Sequence, residues 1–333
     1  MQSFEYVRAT GVRDAVTAAT TDGETAFLAG GTTQVDLMKD GVLTPRVLID
    51  ITRLPLRGVV AGPDVLRVGA LTTMEELAAD PVVTRRLPVV RESLLLAAST
   101  QLRNMATIGG NLLQRTRCRY YRDLSCACNK RVPGAGCDAI NGHHRMHAIL
   151  GTSEHCVATH ASDLAVALVA LDATVRTSGA SGERALPLSA FYQAPGDTPG
   201  VEHELRPGEL ITEVEVPLLP DGTRSGYLKV RDRASYEFAL ASAAVAIEVT
   251  DGVVRDARIA LGGLATVPWR CHDAEDVLRG APASEETYRA AADAALTGAR
   301  PLPGNAFKVE LGKRTVVRAL SMVTEPQVTG PPE

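Results

Sequence analysis

Aromatic residues make up only 4% of this 333-residue chain, and tryptophan occurs once, at Trp269. A surface that stacks nucleic-acid bases needs several exposed rings, so that ligand class is disfavoured. No charge dominates either: 35 basic and 39 acidic residues leave a formal net charge of -4. That balance provides no global field for a polyanion or an anionic membrane. No run approaches the roughly 20 apolar residues that span a bilayer. The opening segment "MQSFEYVRATGVRDAVTAATTDG" shows no basic stretch followed by an apolar one, so no export signal is expected and the default location is cytoplasmic. Outside one window the only cysteine is Cys271, too sparse for a disulfide-built secreted scaffold. Cys271 reads as a small buried apolar residue.

The remaining composition, 45% hydrophobic and 22% charged, fits an α/β or α+β protein long enough for two or three cores. In "VAIEV", Val245, Ile247 and Val249 alternate with Ala246 and Glu248, the period of a half-buried strand. Asp251-Gly252 between two apolar runs predicts a tight hairpin. Helical segments follow: "HDAEDVLRG", then "SEETYRAAADAALTGA" with Ser284 as N-cap and Gly298 as stop, then "KRTVVRALSMV". A meander followed by helices is an α+β module. The Pro/Gly-rich loop "PLLPDGTRSG" before it marks a domain boundary near residue 222. The expected domains are therefore 1–222 and 223–325, with a frayed tail at 326–333.

Two glycine pairs lie upstream. In "AFLAGGTTQVDLMKDG" an apolar strand runs into Gly30-Gly31, then Thr32 and Thr33, then a helical pattern. Successive residues without Cβ at a strand–turn–helix junction expose amides suited to a phosphate, although a plain tight turn gives the same pattern. The spacing does not match GxGxxG, so a Rossmann site is not supported. "MATIGGNLLQ" offers a similar set in Thr107, Gly109, Gly110 and Asn111. Two such loops could grip one diphosphate from two sides.

Cys118, Cys126, Cys128, Cys137 and Cys156 crowd into one window with His143, His144, His147 and His155. Disulfides are disfavoured in a reducing compartment. Zinc is the serious rival, but structural zinc usually uses paired C-x2–4-C knuckles, and Cys126 and Cys128 have one residue between them. Widely spaced thiolates in a glycine-rich loop also suit an iron–sulfur cubane, which needs soft ligands from several directions. The histidines, with His160, read as polar loop residues.

"FLAGGTTQVDLMK", "QLRNMATIGGN" and "ASDLAVALVALDA" resemble the flavoprotein subunit of the molybdenum hydroxylases, the xanthine dehydrogenase and aldehyde oxidase group. "NLLQRTRC" and "NKRVPGAGCDAINGHHRMHAILGTSEHC" are similar to the branch found in bacterial periplasmic aldehyde oxidoreductases. "YLKVRDRASYEFALASAAVAI" and "FKVELGKRTVVRAL" fit the same subunit's last domain. The resemblance implies an α+β fold: an FAD-binding module of the vanillyl-alcohol-oxidase (PCMH) type in two subdomains, about 1–55 and 56–222. A cysteine-rich insertion at 115–158 and a C-terminal domain like that of CO dehydrogenase flavoproteins, with a three-stranded sheet and helices, complete it.

The same resemblance implies noncovalent FAD held by Leu28, Ala29, Gly30, Gly31, Thr32, Thr33 and Gln34 around the diphosphate, with Thr107, Gly110 and Asn111 opposite. Ser162 caps a helix, and Asp163 would bond the sugar or pyrophosphate side. Ile211 and Lys229 would lie near the isoalloxazine, where a cation favours the anionic reduced flavin. A [4Fe–4S] cluster is implied on Cys118, Cys128, Cys137 and Cys156, with Cys126 spare. No residue of the chain is expected to be catalytic. The implied partners are a large subunit with the molybdenum cofactor and a small subunit with [2Fe–2S] clusters, in a heterotrimer or its dimer. Electrons would leave the flavin for ferredoxin, NAD, a quinone or oxygen. Relatives carried across the membrane by a partner's twin-arginine leader make a periplasmic location the alternative. Two other functions remain on the residues alone: a self-contained flavin-dependent reductase of the same FAD fold, and a zinc-stabilised interaction protein.

Overall fold

Parallel strands need a crossover between them, and the first fifty residues supply helices for it. In this computed structural model, which describes residues 1–19 and 24–325, strands β1 (Glu5–Arg8), β2 (Thr25–Leu28) and β3 (Val47–Asp50) form a parallel sheet in the order β1-β3-β2. Helix Val12–Ala18 precedes β2, and helix Gln34–Lys39 leads from it towards β3. Ala15, Ile49, Ile51 and Leu210 fill the small core beneath this sheet. The expected tail at 326–333 lies outside the described residues.

The second sheet is antiparallel, β4 (Val59–Ala61), β5 (Val65–Gly69), β6 (Thr174–Gly179), β7 (Gly182–Pro187) and β8 (Leu210–Pro217), in the order β4-β5-β8-β6-β7. Everything between β5 and β6 is helix and loop, including both the second glycine pair and the cysteine window.

The third sheet holds β9 (Arg224–Val230), β10 (Ala241–Thr250), β11 (Val253–Gly262) and β12 (Trp269–Arg270) in the order β12-β11-β10-β9. Asp251 and Gly252 sit at φ +52° and +74°, so the hairpin turn is left-handed at both central residues, as an Asp-Gly turn allows. The sheet exceeds the expected three strands, because Trp269 and Arg270 pair with Leu261 and Ala260 at one edge. Helices His272–Leu278, Glu285–Ala295 and Phe307–Thr324 cover one face, and Ser284 caps the second by accepting from Thr287 N at 3.3 Å.

The half-buried strand expected at "VAIEV" is instead buried on both faces over most of its length. Val245 and Ile247 pack under the C-terminal helices, while Ala244 and Ala246 join the core of the FAD module. The second face carries alanines, whose small size lets helix Asp163–Ala170 approach the sheet. All eight residues of that helix are buried, as an apolar surface all round requires. The two modules therefore share a packed seam.

Asp50, at the end of β3, accepts from Thr52 N at 2.8 Å, Thr52 Oγ1 at 2.7 Å, Arg8 Nε at 3.2 Å and the Tyr6 hydroxyl. Burial alone raises its pKa, but these four donors outweigh it and bring the carboxyl down to about 2. A depressed carboxyl stabilises the fold above its unfolded value and loses that contribution as pH falls through its folded one. We expect Asp50→Asn to lower stability at pH 7 by about 1–3 kcal/mol, and to lose less than the wild type on acidification between pH 3.8 and about 2. Urea titrations at both pH values check this.

Candidate functional site

Gly30 is glycine because of a close approach. A Cβ there would lie 1.9 Å from the carbonyl oxygen of Met105, so the first glycine loop touches the segment leading into the second backbone to backbone. Gly31 adopts φ +72°, which a side chain would strain. A cavity of about 770 Å³ opens beside this contact, lined by Ala29, Gly30, Gly31, Thr32, Thr33, Gln34, Thr107, Gly110 and Ile211. The amide nitrogen Nε2 of Gln34 is buried there without a partner, a donor waiting for a polar ligand. Leu28 is not among the lining residues and instead ends β2 beside Asp50.

The second glycine pair differs from its expected form. It lies in the one-turn helix Ile108–Leu112, with Thr107 as N-cap. Gly109 N already donates to Ala70 O at 2.9 Å, and Gly110 N to Thr107 Oγ1 at 3.3 Å. Those amides are engaged by the protein, because a Thr cap followed by glycine closes a helical turn as readily as a nest.

A second cavity of about 390 Å³ shares Thr32, Thr33 and Gly110 with the first and is also lined by Asn111, Asp163 and Lys229. Ser162 donates to Asn111 Oδ1 and accepts from Ala165 N at 3.0 Å, so one hydroxyl both caps the helix and fixes the asparagine. Asp163 was expected to face the ligand. Its two oxygens hold Lys229 Nζ at 2.7 Å and the Tyr227 hydroxyl at 2.7 Å, and Ser242 Oγ lies 2.8 Å from that hydroxyl, whose one proton goes to Asp163. Lys229 also donates to Leu96 O at 3.2 Å, and its side chain is 1% exposed. The ammonium is thus paired, and its field is that of an ion pair rather than of a free cation. Ile211 and Lys229, expected together beside one ring, line different cavities. Tyr227 escaped the sequence reading, since a tyrosine in a strand carries no signal for a partner 64 residues away.

Cys118, Cys128, Cys137 and Cys156 line one small chamber with Tyr120, Tyr121, Lys130 and His155. Cys128 and Cys137 face each other in an antiparallel bridge, and Cys118 opens the short helix Arg119–Arg122. Cys126 is not part of the chamber lining. All six cysteines are free thiols. Burial pushes the Cys118 thiol up to about 12 and raises Cys137 and Cys156 as well, so without a cation these groups stay protonated. Among the described residues no three His, Cys, Asp or Glu side chains stand close enough to share one metal ion. Tetrahedral zinc, with Zn–S bonds near 2.3 Å, needs such proximity; ligands of a cubane each meet a different iron and stand further apart.

The window's histidines are not all solvated. His147 is buried, with Nε2 at 3.1 Å from Cys118 Sγ, and burial and the Lys308 ammonium push its pKa down to about 4. The His160 ring meets Tyr192 edge-on at 4.6 Å. His143 and His155 are exposed, as expected of loop residues. Cys271 is buried in the C-terminal core. Arg117 and Arg122 bind Asp36 at 3.2 and 2.7 Å, pinning the window to helix Gln34–Lys39.

A third cavity, of about 730 Å³, lies between these sites. It is bounded by Cys118 and His147 on one side and by Asp163, Glu237 and Phe238 on the other.

The family described as "FAD binding domain in molybdopterin dehydrogenase" matches residues 2–219, and "CO dehydrogenase flavoprotein C-terminal domain" matches 226–323. The chain belongs to the FAD-binding subunits of the molybdenum hydroxylases. It is 45% identical over 323 residues to the aldehyde oxidoreductase FAD-binding subunit PaoB of Escherichia coli, covering 96% of this chain and 98% of that one. It is 29% identical to the glyceraldehyde dehydrogenase medium chain of Sulfolobus acidocaldarius, covering 96% of each. Among solved structures, the carbon monoxide dehydrogenase of Hydrogenophaga pseudoflava has a chain at TM-score 0.76 and 27% identity, covering 97% of both. The protein is thus an oxidoreductase flavoprotein subunit with the α+β fold of this family. A self-contained reductase and a zinc-stabilised interaction protein are not favoured by matches that span both modules.

For an FAD-binding subunit the Gly30–Met105 contact gives a direct test. We expect Gly30→Ala to separate the two loops, lower the flavin-to-protein ratio at least tenfold and cost about 1–3 kcal/mol of stability. Flavin absorbance per chain and thermal melting measure both effects.

Proposed function

We propose that this chain distributes electrons within a molybdenum-dependent aldehyde oxidoreductase, holding noncovalent FAD across its two connected cavities and a [4Fe–4S] cluster on Cys118, Cys128, Cys137 and Cys156. The observation that carries this is adjacency. The four-cysteine chamber and the cavity lined by Asp163 and Lys229 each share wall residues with one open space, Cys118 on the side of the chamber and Asp163 on the side of the cavity. The 45% identity to an aldehyde oxidoreductase subunit over nearly the whole chain supports an aldehyde as the substrate class of the complex. That substrate would bind on a large subunit with the molybdenum cofactor, and a small [2Fe–2S] subunit would deliver its electrons here.

In this reading Gly30, Gly31, Thr32, Thr33 and Gln34 bind the FAD diphosphate and its sugars, and Thr107, Gly110 and Asn111 close the site from the other side. Ser162 orients Asn111, while Asp163 holds Lys229 at the wall of the second cavity. When bound, FAD exchanges single electrons on one side and electron pairs on the other. An external acceptor, whether ferredoxin, NAD, a quinone or oxygen, would approach through the open cavity. The cysteine set suits a cluster because four thiols lining one chamber lose their protons on binding iron, and Lys130 beside Cys156 offsets negative charge.

The full chain purified without oxygen should show flavin bands over broad iron–sulfur absorption, and acid should release its FAD into solution. Cys137→Ser should lose the broad absorption and the iron, whereas Cys126→Ser should keep both. Undiminished iron in Cys137→Ser would sink the ligand assignment, and zinc in place of iron would sink the cluster.

A further inference from the structure

We infer that His147 is a positioning residue for the sulfur centre: its imidazole Nε2–H donates to Cys118 Sγ and raises that centre's reduction potential. This rests on the cluster reading above.

The contact, 3.1 Å long, is the ring's one polar partnership, because Nδ1 is buried and without a partner. A neutral imidazole carries a single proton. Beside an anionic ligand sulfur that proton belongs on Nε2, where it meets an acceptor. Hydrogen bonds to ligand sulfurs favour the more negative, reduced state of a cluster.

The ring is held in place from another module. The backbone carbonyl of His147 accepts from Asn305 Nδ2 at 3.2 Å and from Lys308 Nζ at 3.0 Å. Lys308 also donates to Met146 O at 3.2 Å and to Gly263 O at 2.7 Å, and Asn305 to Ala148 O at 3.3 Å. Both side chains are wholly buried. A lysine and an asparagine in a core are costly unless their donors are satisfied. Here those donors converge on residues 146–148 and on Gly263, just past the end of β11. His147 N donates to His144 O at 3.0 Å, and Ala148 N to Val157 O at 2.8 Å, which fixes the segment from its other side. The start of helix Phe307–Thr324 thereby determines where the imidazole stands relative to Cys118. Its neighbours do other work: His144 Nε2 accepts from Gly304 N at 2.8 Å, and His143 is exposed.

The test uses the full chain purified without oxygen, so that iron and sulfide counts are its own. The cluster potential is read by redox titration followed by electron paramagnetic resonance, for the wild type, His147→Leu, His147→Gln and His143→Leu. We expect His147→Leu to keep its iron and shift to lower potential. His147→Gln, which restores an N–H donor, should recover part of the shift, and His143→Leu should leave it unchanged. An unaltered potential in iron-replete His147→Leu overturns the inference. If the leucine variant loses iron, the glutamine variant decides: full iron at a near-native potential supports a donor role, and iron loss in both shows a purely structural residue. A wild-type chain without iron would instead sink the cluster reading itself.

Discussion

Asp163 is a buried carboxylate on which a helix of one module and a strand of the other both lean. It opens the apolar helix at the seam, and its oxygens hold Lys229 and Tyr227 from the first strand of the C-terminal sheet. A buried carboxylate left without partners costs several kcal/mol, so these contacts tie the registration of the two modules to the ion pair. The same residue borders both the cavity assigned to FAD and the open space leading to the cysteines. Module packing and the walls of both cavities therefore depend on one group.

Around that seam, contacts replace bulk. Alanines on one face of β10 let helix Asp163–Ala170 approach closely, and Gly30 lets one loop rest on the carbonyl of Met105. The cysteine window is fastened from two sides, by Asp36 to Arg117 and Arg122, and by Asn305 and Lys308 to the carbonyls of residues 146–148. A segment with so little regular structure gains a fixed shape from these anchors. Fixed shape is what the proposed four-cysteine centre would require.

Local signals survived the passage to structure well. The Asp251-Gly252 turn, the Ser284 cap and the strand running into Gly30-Gly31 are set by nearest-neighbour sterics and hydrogen bonding, which the sequence states directly. The preference for four cysteines over the fifth came from resemblance to a family and not from spacing; those four line one chamber and Cys126 does not. Other expectations changed where distant parts meet. Gly109-Gly110 became helix because Ala70 and Thr107 accept their amides, and β10 was buried twice because a helix far upstream covers its alanine face.

The sequence by itself determined the strands and turns, the small residues at points of close approach, the family, and which residues are available as ligands. Those properties follow from side-chain size, backbone preference and spacing along the chain. Only the tertiary structure decided that Lys229 is neutralised by Asp163, that Ile211 and Lys229 line separate cavities, and that His147 among five histidines reaches Cys118. Each of those outcomes depends on groups dozens of residues apart arriving within hydrogen-bond reach, and burial then removes the water that would otherwise satisfy them.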